Sequence, residues 1–206
     1  KKLNKSKGDL ISVNQLDNFF IWAVVGVILG GRLGYVLLYQ TEILLKNPKY
    51  LFEIWNGGMS FHGGLVGIII SMYFFCKINK IKFFYLSDLV SVVAPIGLFL
   101  GRTANFINTE LIGRPTEFYI SVIYPSIDNV ARHPSQLYEA FFEGIILFFI
   151  LLFNFIKKNN LNNYGLISGQ FLVFYSLFRF FIEFLREPDS HLGLFYNFII
   201  LFHQKK

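Results

Sequence analysis

Long apolar runs separated by short polar segments dominate this sequence of 206 residues. A helix that crosses a bilayer needs about 20 consecutive apolar residues, within a range of about 17–25. Five stretches satisfy this requirement, at residues 19–39, 59–76, 83–100, 136–156 and 165–185. A sixth apolar stretch, at residues 192–202, is too short to cross comfortably. The pattern therefore predicts an all-α fold, a polytopic transmembrane helix bundle with about five full spans and a short sixth.

Positive charges divide into two groups along this pattern. The first group consists of the lysines that flank the apolar stretches: Lys1, Lys2, Lys5, Lys7, Lys77, Lys80, Lys82, Lys157, Lys158, Lys205 and Lys206. If the sixth stretch crosses the membrane, all of these lysines lie on one side. Cytoplasmic loops carry an excess of positive charge, so we assign that side to the cytoplasm. The second group lies on the other side or inside the membrane, and it contains every arginine of the chain. Because arginine binds anions bidentately, an anion site is expected there.

Composition narrows the classes of function. Only 16% of the residues are charged, against about 25% in an average soluble domain. The net charge of +6 is carried largely by lysines at the ends of apolar stretches, which indicates membrane edges and no nucleic-acid partner. A single cysteine, Cys76, excludes a disulfide framework and a thiolate metal cluster. The motifs of serine hydrolases, zinc proteases and P-loop enzymes are also missing from the sequence, so we expect no metal and no cofactor.

Residues 101–114 follow the third apolar stretch and combine two arginines, two asparagines and a glutamate. A charged residue at bilayer depth costs about 2.5–3.5 kcal/mol on insertion scales, so it usually has a task. Arg102 and Arg114 could bind a phosphate group, and the polar residues between them could hold the guanidinium groups in place. The alternative is an ordinary interfacial loop, whose arginines extend toward lipid headgroups.

His62 lies within a glycine-rich segment, residues 57–64, at the edge of the second stretch. Glycines lower helix stability by about 1 kcal/mol each relative to alanine, so their density indicates sharp turns and close backbone approach. Imidazole is the side chain best suited to exchange a proton near neutral pH. His62 is therefore a candidate proton acceptor, and the alternative is a structural histidine at a membrane edge.

Two further polar groups lie on the fourth and fifth stretches. Residues 132–139 resemble a helix start, in which Pro134 and Ser135 cap the helix and Glu139 lies in its first turn. A cap does not explain the preceding arginine and histidine. On the fifth stretch, Tyr175, Arg179 and Glu183 are spaced by four and share one helix face. We predict that Glu183 pairs with Arg179, either within a site or as a structural ion pair.

With these motifs in view, the chain resembles the prolipoprotein diacylglyceryl transferase family over residues 30–193. Family motifs recur in the same order at residues 31–35, 57–64, 101–113, 132–139 and 178–189. The resemblance implies that the diacylglyceryl group of phosphatidylglycerol is transferred to the lipobox cysteine of a preprolipoprotein. A thioether forms and glycerol 1-phosphate leaves, which is the first step of lipoprotein maturation. It also implies an enzyme of the bacterial inner membrane, embedded in lipid, with its site opening toward the outer leaflet.

The resemblance further implies roles for individual residues. Arg102 and Arg179 match the essential arginines of the family, and His62 is the candidate base for the thiol. An arginine-bound, hydroxide-like species is the alternative base. The expected substrate-binding residues are Arg102, Asn105, Asn108, Glu110, Gly113, Arg114, Tyr175 and Glu183. Of these, Tyr175 and Glu183 are expected to orient Arg179.

The sequence also departs from the family pattern. We do not find the family's first span, which carries a functional tyrosine, or the Met-Gly-Gln motif of its last span. We therefore expect a single transmembrane catalytic domain over residues 1–206 that lacks the first span and part of the last. Two other classes of protein remain. One is an inactive remnant of the enzyme. The other is an anion transporter lined by Arg102 and Arg179, which the absence of an internal repeat disfavours.

Overall fold

The computed structural model of this chain describes residues 11–157 and 163–187, and it is all-α apart from two very short strands. Five helices are long and apolar enough to cross a membrane. They are α1 (Val13–Tyr39), α3 (Phe61–Asn79), α4 (Phe83–Ile107), the helix Ser135–Ile156 and α7 (Leu166–Glu183). The predicted all-α, polytopic class with five full spans is confirmed. The predicted sixth stretch, at residues 192–202, lies outside the described residues.

Shorter elements connect these spans. Helix α2 (Thr41–Lys46) and two 3₁₀ turns, Pro48–Phe52 and Ile54–Asn56, lie between α1 and α3. Strands β1 (Val122–Ile123) and β2 (Ala131–Arg132) pair antiparallel between α4 and the fourth span. That span consists of α5 (Ser135–Glu139), a π-helical segment (Ala140–Ile146) and α6 (Leu147–Ile156), which follow one another without a break.

Two helix boundaries differ from the predicted ones because hydrogen bonds, not apolar runs, set where a helix begins and ends. Helix α1 begins six residues earlier than residue 19, at Val13. Ser12 and Gln15 form a capping box there, with Gln15 N donating to Ser12 Oγ at 3.2 Å. Helix α4 continues past residue 100 to Ile107 and ends where Thr109 adopts a left-handed φ of 61°. Arg102 therefore lies on a helix and not in a loop.

The chain forms two compact units, Lys1–Ser87 and Asp88–Lys206. Close packing of α1 against α3 holds the first unit together. Gly26, Gly30 and Gly34 on α1 face Gly63 and Gly67 on α3. A Cβ atom added to Gly67 would lie 2.1 Å from the carbonyl oxygen of Gly26, and one on Gly30 would lie 2.4 Å from that of Gly63. Small residues spaced by four let membrane helices approach closely, and this is how the two helices associate.

Arg32 lies on α1, and its hydrogen bonds connect α1 to the segment before α3. Its side chain is buried and donates to the carbonyl oxygens of Tyr50 at 2.6 Å, Gly57 at 2.5 Å and Leu51 at 3.3 Å. The guanidinium group also lies 4.7 Å from the ring centroid of Tyr50, a cation–π distance. The Gly-Arg motif at residues 31–32 therefore fixes the chain that leads into His62.

The second unit has an apolar core formed by Val92, Leu147, Leu151 and Ile167. The buried carboxylate of Asp88 accepts hydrogen bonds from the backbone N–H groups of Gly165 and Ser168, both at 2.8 Å. It thus caps the start of α7, where the first N–H groups of a helix have no partner within the helix. Leu172, Val173 and Phe180 on α7 are 63%, 65% and 61% exposed, as expected for side chains that face lipid.

Candidate functional site

Two arginines and three glutamates from α4, the fourth span and α7 meet in the second unit. Glu139 is fully buried and forms ion pairs with both arginines. Arg102 Nε lies 3.0 Å from Glu139 Oε2, and Arg179 contacts Oε1 of the same carboxylate. Arg179 Nη2 also donates to Glu183 Oε2 at 2.5 Å. The predicted Arg179–Glu183 pair is therefore confirmed, and Glu139 connects it to Arg102.

Close approach of α4 to the fourth span brings these charges together. Gly144 packs against α4, and a Cβ atom at this position would lie 2.6 Å from the Cβ of Phe99. Gly144 belongs to the π-helical segment, as does Glu143. π-Helical turns are rare and are frequent at functional sites. A larger residue at position 144 would push α4 away and separate Arg102 from Glu139.

Glu143 is the least satisfied member of this ion network. It is fully buried, and neither of its carboxyl oxygens has a hydrogen-bond partner among the described residues. Its ion contact is with Arg102 Nη2 at 3.8 Å. An uncompensated carboxylate in a buried position is strongly unfavourable. Glu143 is therefore a buried acid without a hydrogen-bond partner, whereas the other charged groups of the site form closer ion pairs.

The two arginines remain accessible, although their acidic partners on the fourth span are not. The side chains of Arg102 and Arg179 are 18% and 24% exposed, whereas Glu139 is not exposed at all. Tyr175, one turn before Arg179 on α7, stacks on Phe171 with ring centroids 5.7 Å apart. Buried or half-buried carboxylates thus hold the two guanidinium groups, which remain partly exposed. Such a pair can bind an anion with two or more oxygens.

An apolar cavity of about 670 Å³ lies between α7, the fourth span and the segment that precedes that span in the same unit. Phe142, Phe178 and Ile182 contribute to its wall, with His133 and Tyr138 as polar members. Phe178 and Ile182 flank Arg179 on α7. The size and apolar lining of this cavity suit a hydrocarbon chain.

A small cap, called the outer cap below, holds the ends of α4 and α7 to the start of the fourth span. Gly113 pairs with Arg186 in a β-bridge, and Arg114 Nε donates to the carbonyl oxygen of Arg186 at 2.9 Å. Gln136 is fully buried and donates to the carbonyl oxygen of Glu110 at 2.5 Å. The Tyr124 hydroxyl donates to Gln136 at 3.1 Å, and burial raises the pKa of that tyrosine.

Arg132 is the centre of this cap. It binds Asp128 through Nε and Nη2, donates to the carbonyl oxygen of Gly113 at 3.2 Å and pairs with Glu187. The backbone oxygen of His133 would lie 2.1 Å from a Cβ atom at Gly113. A helix cap did not explain Arg132 and His133. Arg132 holds the outer cap together, and the position of His133 requires glycine at position 113.

His62 lies in the first unit, at the start of α3. Ser60 caps this helix by accepting a hydrogen bond from Gly63 N at 3.2 Å. The His62 side chain is exposed, contacts the ring of Phe61 and lines a cavity of about 570 Å³ between α1 and α3. Its ring nitrogens have no hydrogen-bond partner among the residues described.

The sequence matches the model of the family described as prolipoprotein diacylglyceryl transferase over residues 1–203. The chain belongs to the prolipoprotein diacylglyceryl transferase family. It is 52% identical over 187 residues to the phosphatidylglycerol–prolipoprotein diacylglyceryl transferase of Rickettsia bellii, strain OSU 85-389, covering 91% of this chain and 71% of that protein. The enzyme of the same name from Rickettsia felis is 52% identical over 193 residues, covering 94% and 74%. That of Rickettsia typhi is 52% identical over 183 residues, covering 89% and 71%.

This family membership favours the transferase over the anion transporter and confirms the resemblance drawn from the motifs. The family motifs contribute to the second unit in two ways. Arg102, Tyr175, Arg179 and Glu183 meet in the ion network. The remaining predicted binding residues lie outside it: Asn105, Asn108, Glu110, Gly113 and Arg114. Among these, Asn105 donates to Glu110 at 2.8 Å, one helical turn beyond Arg102. Asn108 is exposed. Gly113 and Arg114 belong to the outer cap.

Sequence reasoning missed the central role of Glu139 and assigned it only to the first turn of a helix. The signal available was the pair Glu139 and Glu143, two carboxyl groups four residues apart in a stretch otherwise rich in apolar residues. Intramembrane carboxyl groups usually face a partner inside the protein. No cluster of three or more histidine, cysteine or acidic side chains that suits a metal ion is found in residues 11–157 and 163–187.

Acidification is expected to loosen the outer cap through Asp128. Hydrogen bonds from Arg132 hold the pKa of this carboxyl group below its usual range. A carboxyl group of this kind stabilises the fold fully above its unfolded pKa, about 3.9, and loses that effect as the pH falls through the lowered pKa. Hydrogen-exchange protection of the Val130 amide, which donates to Asp128 Oδ1 at 3.1 Å, should therefore be constant near neutral pH and fall below about pH 4.

An Asp128→Asn variant is the control for this prediction. Its Val130 amide should be less protected at neutral pH, and its protection factor should no longer change over the acidic range. An unchanged acid transition in the variant would show that another group controls the cap.

Proposed function

We propose that this chain transfers the sn-1,2-diacylglyceryl group of phosphatidylglycerol to the lipobox cysteine of a preprolipoprotein. The printed names of its relatives, which share 52% of its residues over most of the chain, describe this activity. The observation that carries the proposal is the pair of accessible arginines held by one buried carboxylate, Glu139. The protein is a transferase and a multi-pass membrane protein, and its substrates are a phospholipid and a lipobox-containing protein.

The chemistry of the transfer suits this arrangement. The cysteine sulfur forms a bond to the glyceryl carbon, the bond from that carbon to the phosphate oxygen breaks, and glycerol 1-phosphate leaves. Overall, the thiol loses a proton and the phosphate monoester gains negative charge, which it can balance by taking up a proton. We propose that Arg102 and Arg179 hold the phosphate and stabilise the charge that develops on it. Glu183 and Tyr175 orient Arg179, and the apolar cavity lined by Phe178 and Ile182 accommodates an acyl chain.

The thiol must lose its proton during the reaction. A free cysteine has a pKa near 8.5, so only a small share is thiolate at neutral pH. We propose His62 as the proton acceptor, since its ring is exposed, has no hydrogen-bond partner among the described residues and lines a glycine-rich cavity. The alternative acceptor is an arginine-bound, hydroxide-like species. A His62→Gln variant that keeps full activity at high pH would favour that alternative.

We further propose that the site opens to the outer leaflet of the bacterial inner membrane. Lys82 lies immediately before α4, and Arg102 lies near its other end. Twenty residues of α-helix measure about 30 Å, which is about the thickness of the hydrocarbon core. The ion network therefore lies at the end of α4 that is remote from the lysine-rich segment. Since lysine-rich segments are typical of the cytoplasmic side, the arginines belong to the opposite leaflet.

Replacement of Arg102 by alanine tests this function. We expect the variant to transfer the diacylglyceryl group about 100-fold more slowly or worse, as is typical when a donor to a developing anion is removed. Purified protein in lipid would be mixed with phosphatidylglycerol and a lipobox peptide, and the mass of the peptide would be followed. A Lys46→Ala variant, which removes an exposed cation from α2, is the matched control and should match the unmodified chain. Transfer by Arg102→Ala at the rate of the unmodified chain would contradict the assignment.

A further inference from the structure

Glu143 is a buried acid that the proposed reaction does not use. It faces charged and titratable groups from every element packed around it. Glu139 lies one turn earlier on the same span, Arg102 comes from α4, Tyr175 and Arg179 come from α7, and Arg186 follows α7. Of these groups, only Arg102 approaches Glu143 within ion-pair distance, at 3.8 Å. Glu143 therefore experiences the field of the network without being bound firmly into it.

The network has no surplus positive charge before any ligand binds. Its two arginines, Arg102 and Arg179, meet three carboxyl groups, and Arg186 adds a third cation from beyond the end of α7. These carboxyl groups are Glu139, Glu143 and Glu183. A phosphodiester headgroup adds one negative charge to this set. In a buried environment of low dielectric, an additional uncompensated charge is strongly unfavourable. Either the headgroup must displace a carboxylate from an arginine, or one carboxylate must be neutralised.

Glu143 is the carboxylate that is least costly to neutralise. Each oxygen of Glu139 faces an arginine, and Glu183 is bonded to Arg179 at 2.5 Å. Protonating either would break a charge-assisted contact, which is the stronger class of hydrogen bond. Glu143 accepts no hydrogen bond from any residue that the structure describes, so it has none to lose. A protonated Glu143 also releases Arg102 to turn toward the incoming phosphate.

We propose that binding of an anionic phosphodiester headgroup at Arg102 and Arg179 is accompanied by the uptake of one proton by Glu143. This inference rests on the proposed function, because it assumes that the headgroup binds to these arginines. Glu143 is then a residue that tunes headgroup affinity, and the balance is one proton taken up from water for each negative charge bound. Affinity for the anionic lipid should decrease as the pH rises, by up to tenfold per pH unit, since one proton is required for each binding event.

The variant Glu143→Gln tests this coupling, because glutamine has the shape of a protonated glutamate and cannot ionise. Binding of short-chain phosphatidylglycerol to the full chain would be titrated in an uncharged detergent between pH 6 and about pH 9. We expect the affinity of the unmodified chain to fall with rising pH and that of Glu143→Gln to stay constant. At the highest pH, the variant should bind at least tenfold more tightly than the unmodified chain. A gain in affinity cannot result from misfolding.

Two controls accompany this titration. Glu117→Gln makes the same chemical change at an exposed position between α4 and β1 and should keep the pH dependence of the unmodified chain. Short-chain phosphatidylcholine, whose headgroup has no net charge, should bind without pH dependence. Equal pH slopes in Glu143→Gln and the unmodified chain, or weaker binding by the variant at every pH, would overturn the inference. The peptide transfer assay, run separately, reports on the proposed function, so a chain that binds with the expected slope but transfers nothing would refute the function alone.

Discussion

Substituting Glu139 by glutamine is expected to lower the rate of diacylglyceryl transfer about 100- to 1000-fold. This carboxylate is the one group in the described residues that forms ion pairs with both Arg102 and Arg179. Removing one partner from a buried charge network costs about 3–5 kcal/mol, and about 1.36 kcal/mol corresponds to a tenfold change in rate. Without the negative charge, the two guanidinium groups lose their common acceptor and separate.

The loss should appear in kcat more than in KM. Arginines that have moved apart still attract an anion, but they no longer match the geometry of the developing phosphate charge. Misplacement by about 1 Å can cost 10²-fold in rate. The assay is the mass gain of a lipobox peptide at varied phosphatidylglycerol, with Glu117→Gln as the matched carboxyl-to-amide control. A Glu139→Gln enzyme within about twofold of the control would show that the arginines are positioned by other groups.

A second large effect is expected from Gly67→Ala, which should open the contact between α1 and α3. The new Cβ atom would lie 2.1 Å from the carbonyl oxygen of Gly26, so the helix backbones must move apart. Overpacking of this kind costs about 1–3 kcal/mol or more. The reporter is Cys76, the single cysteine of the chain, which is buried on α3. Its labelling by a maleimide should become roughly 5–150-fold faster, the change that such an energy corresponds to.

Gly169→Ala is the matched control because a Cβ atom there meets nothing within 4 Å. The same chemical change on α7 should leave Cys76 labelling unaltered, since alanine is a better helix former than glycine. If both variants label at the rate of the unmodified chain, close glycine packing does not hold the first unit together.

Features that depend on neighbours along the chain could be predicted from the sequence. The five spans follow from apolar length, because lipid accepts only segments whose backbone is hydrogen-bonded internally. The pair Arg179 and Glu183 follows from a spacing of four on one helix. The family follows from motifs that occur in a fixed order. The boundaries of α1 and α4 were less accurate, since capping bonds at Ser12 and a left-handed turn at Thr109 decide them and apolar length does not.

Tertiary structure alone decided which distant residues meet. Glu139 lies 37 positions from Arg102 and 40 from Arg179 in the chain, and nothing local to it distinguishes a first-turn acid from the centre of a charge network. Likewise, the structural role of Arg132 depends on its contacts with Asp128, Gly113 and Glu187, which the outer cap brings together. The physical reason is that helix periodicity determines only the face on which a side chain lies. Which face of another helix it meets depends on close packing, such as that of Gly144 against Phe99, and this is a property of the folded chain.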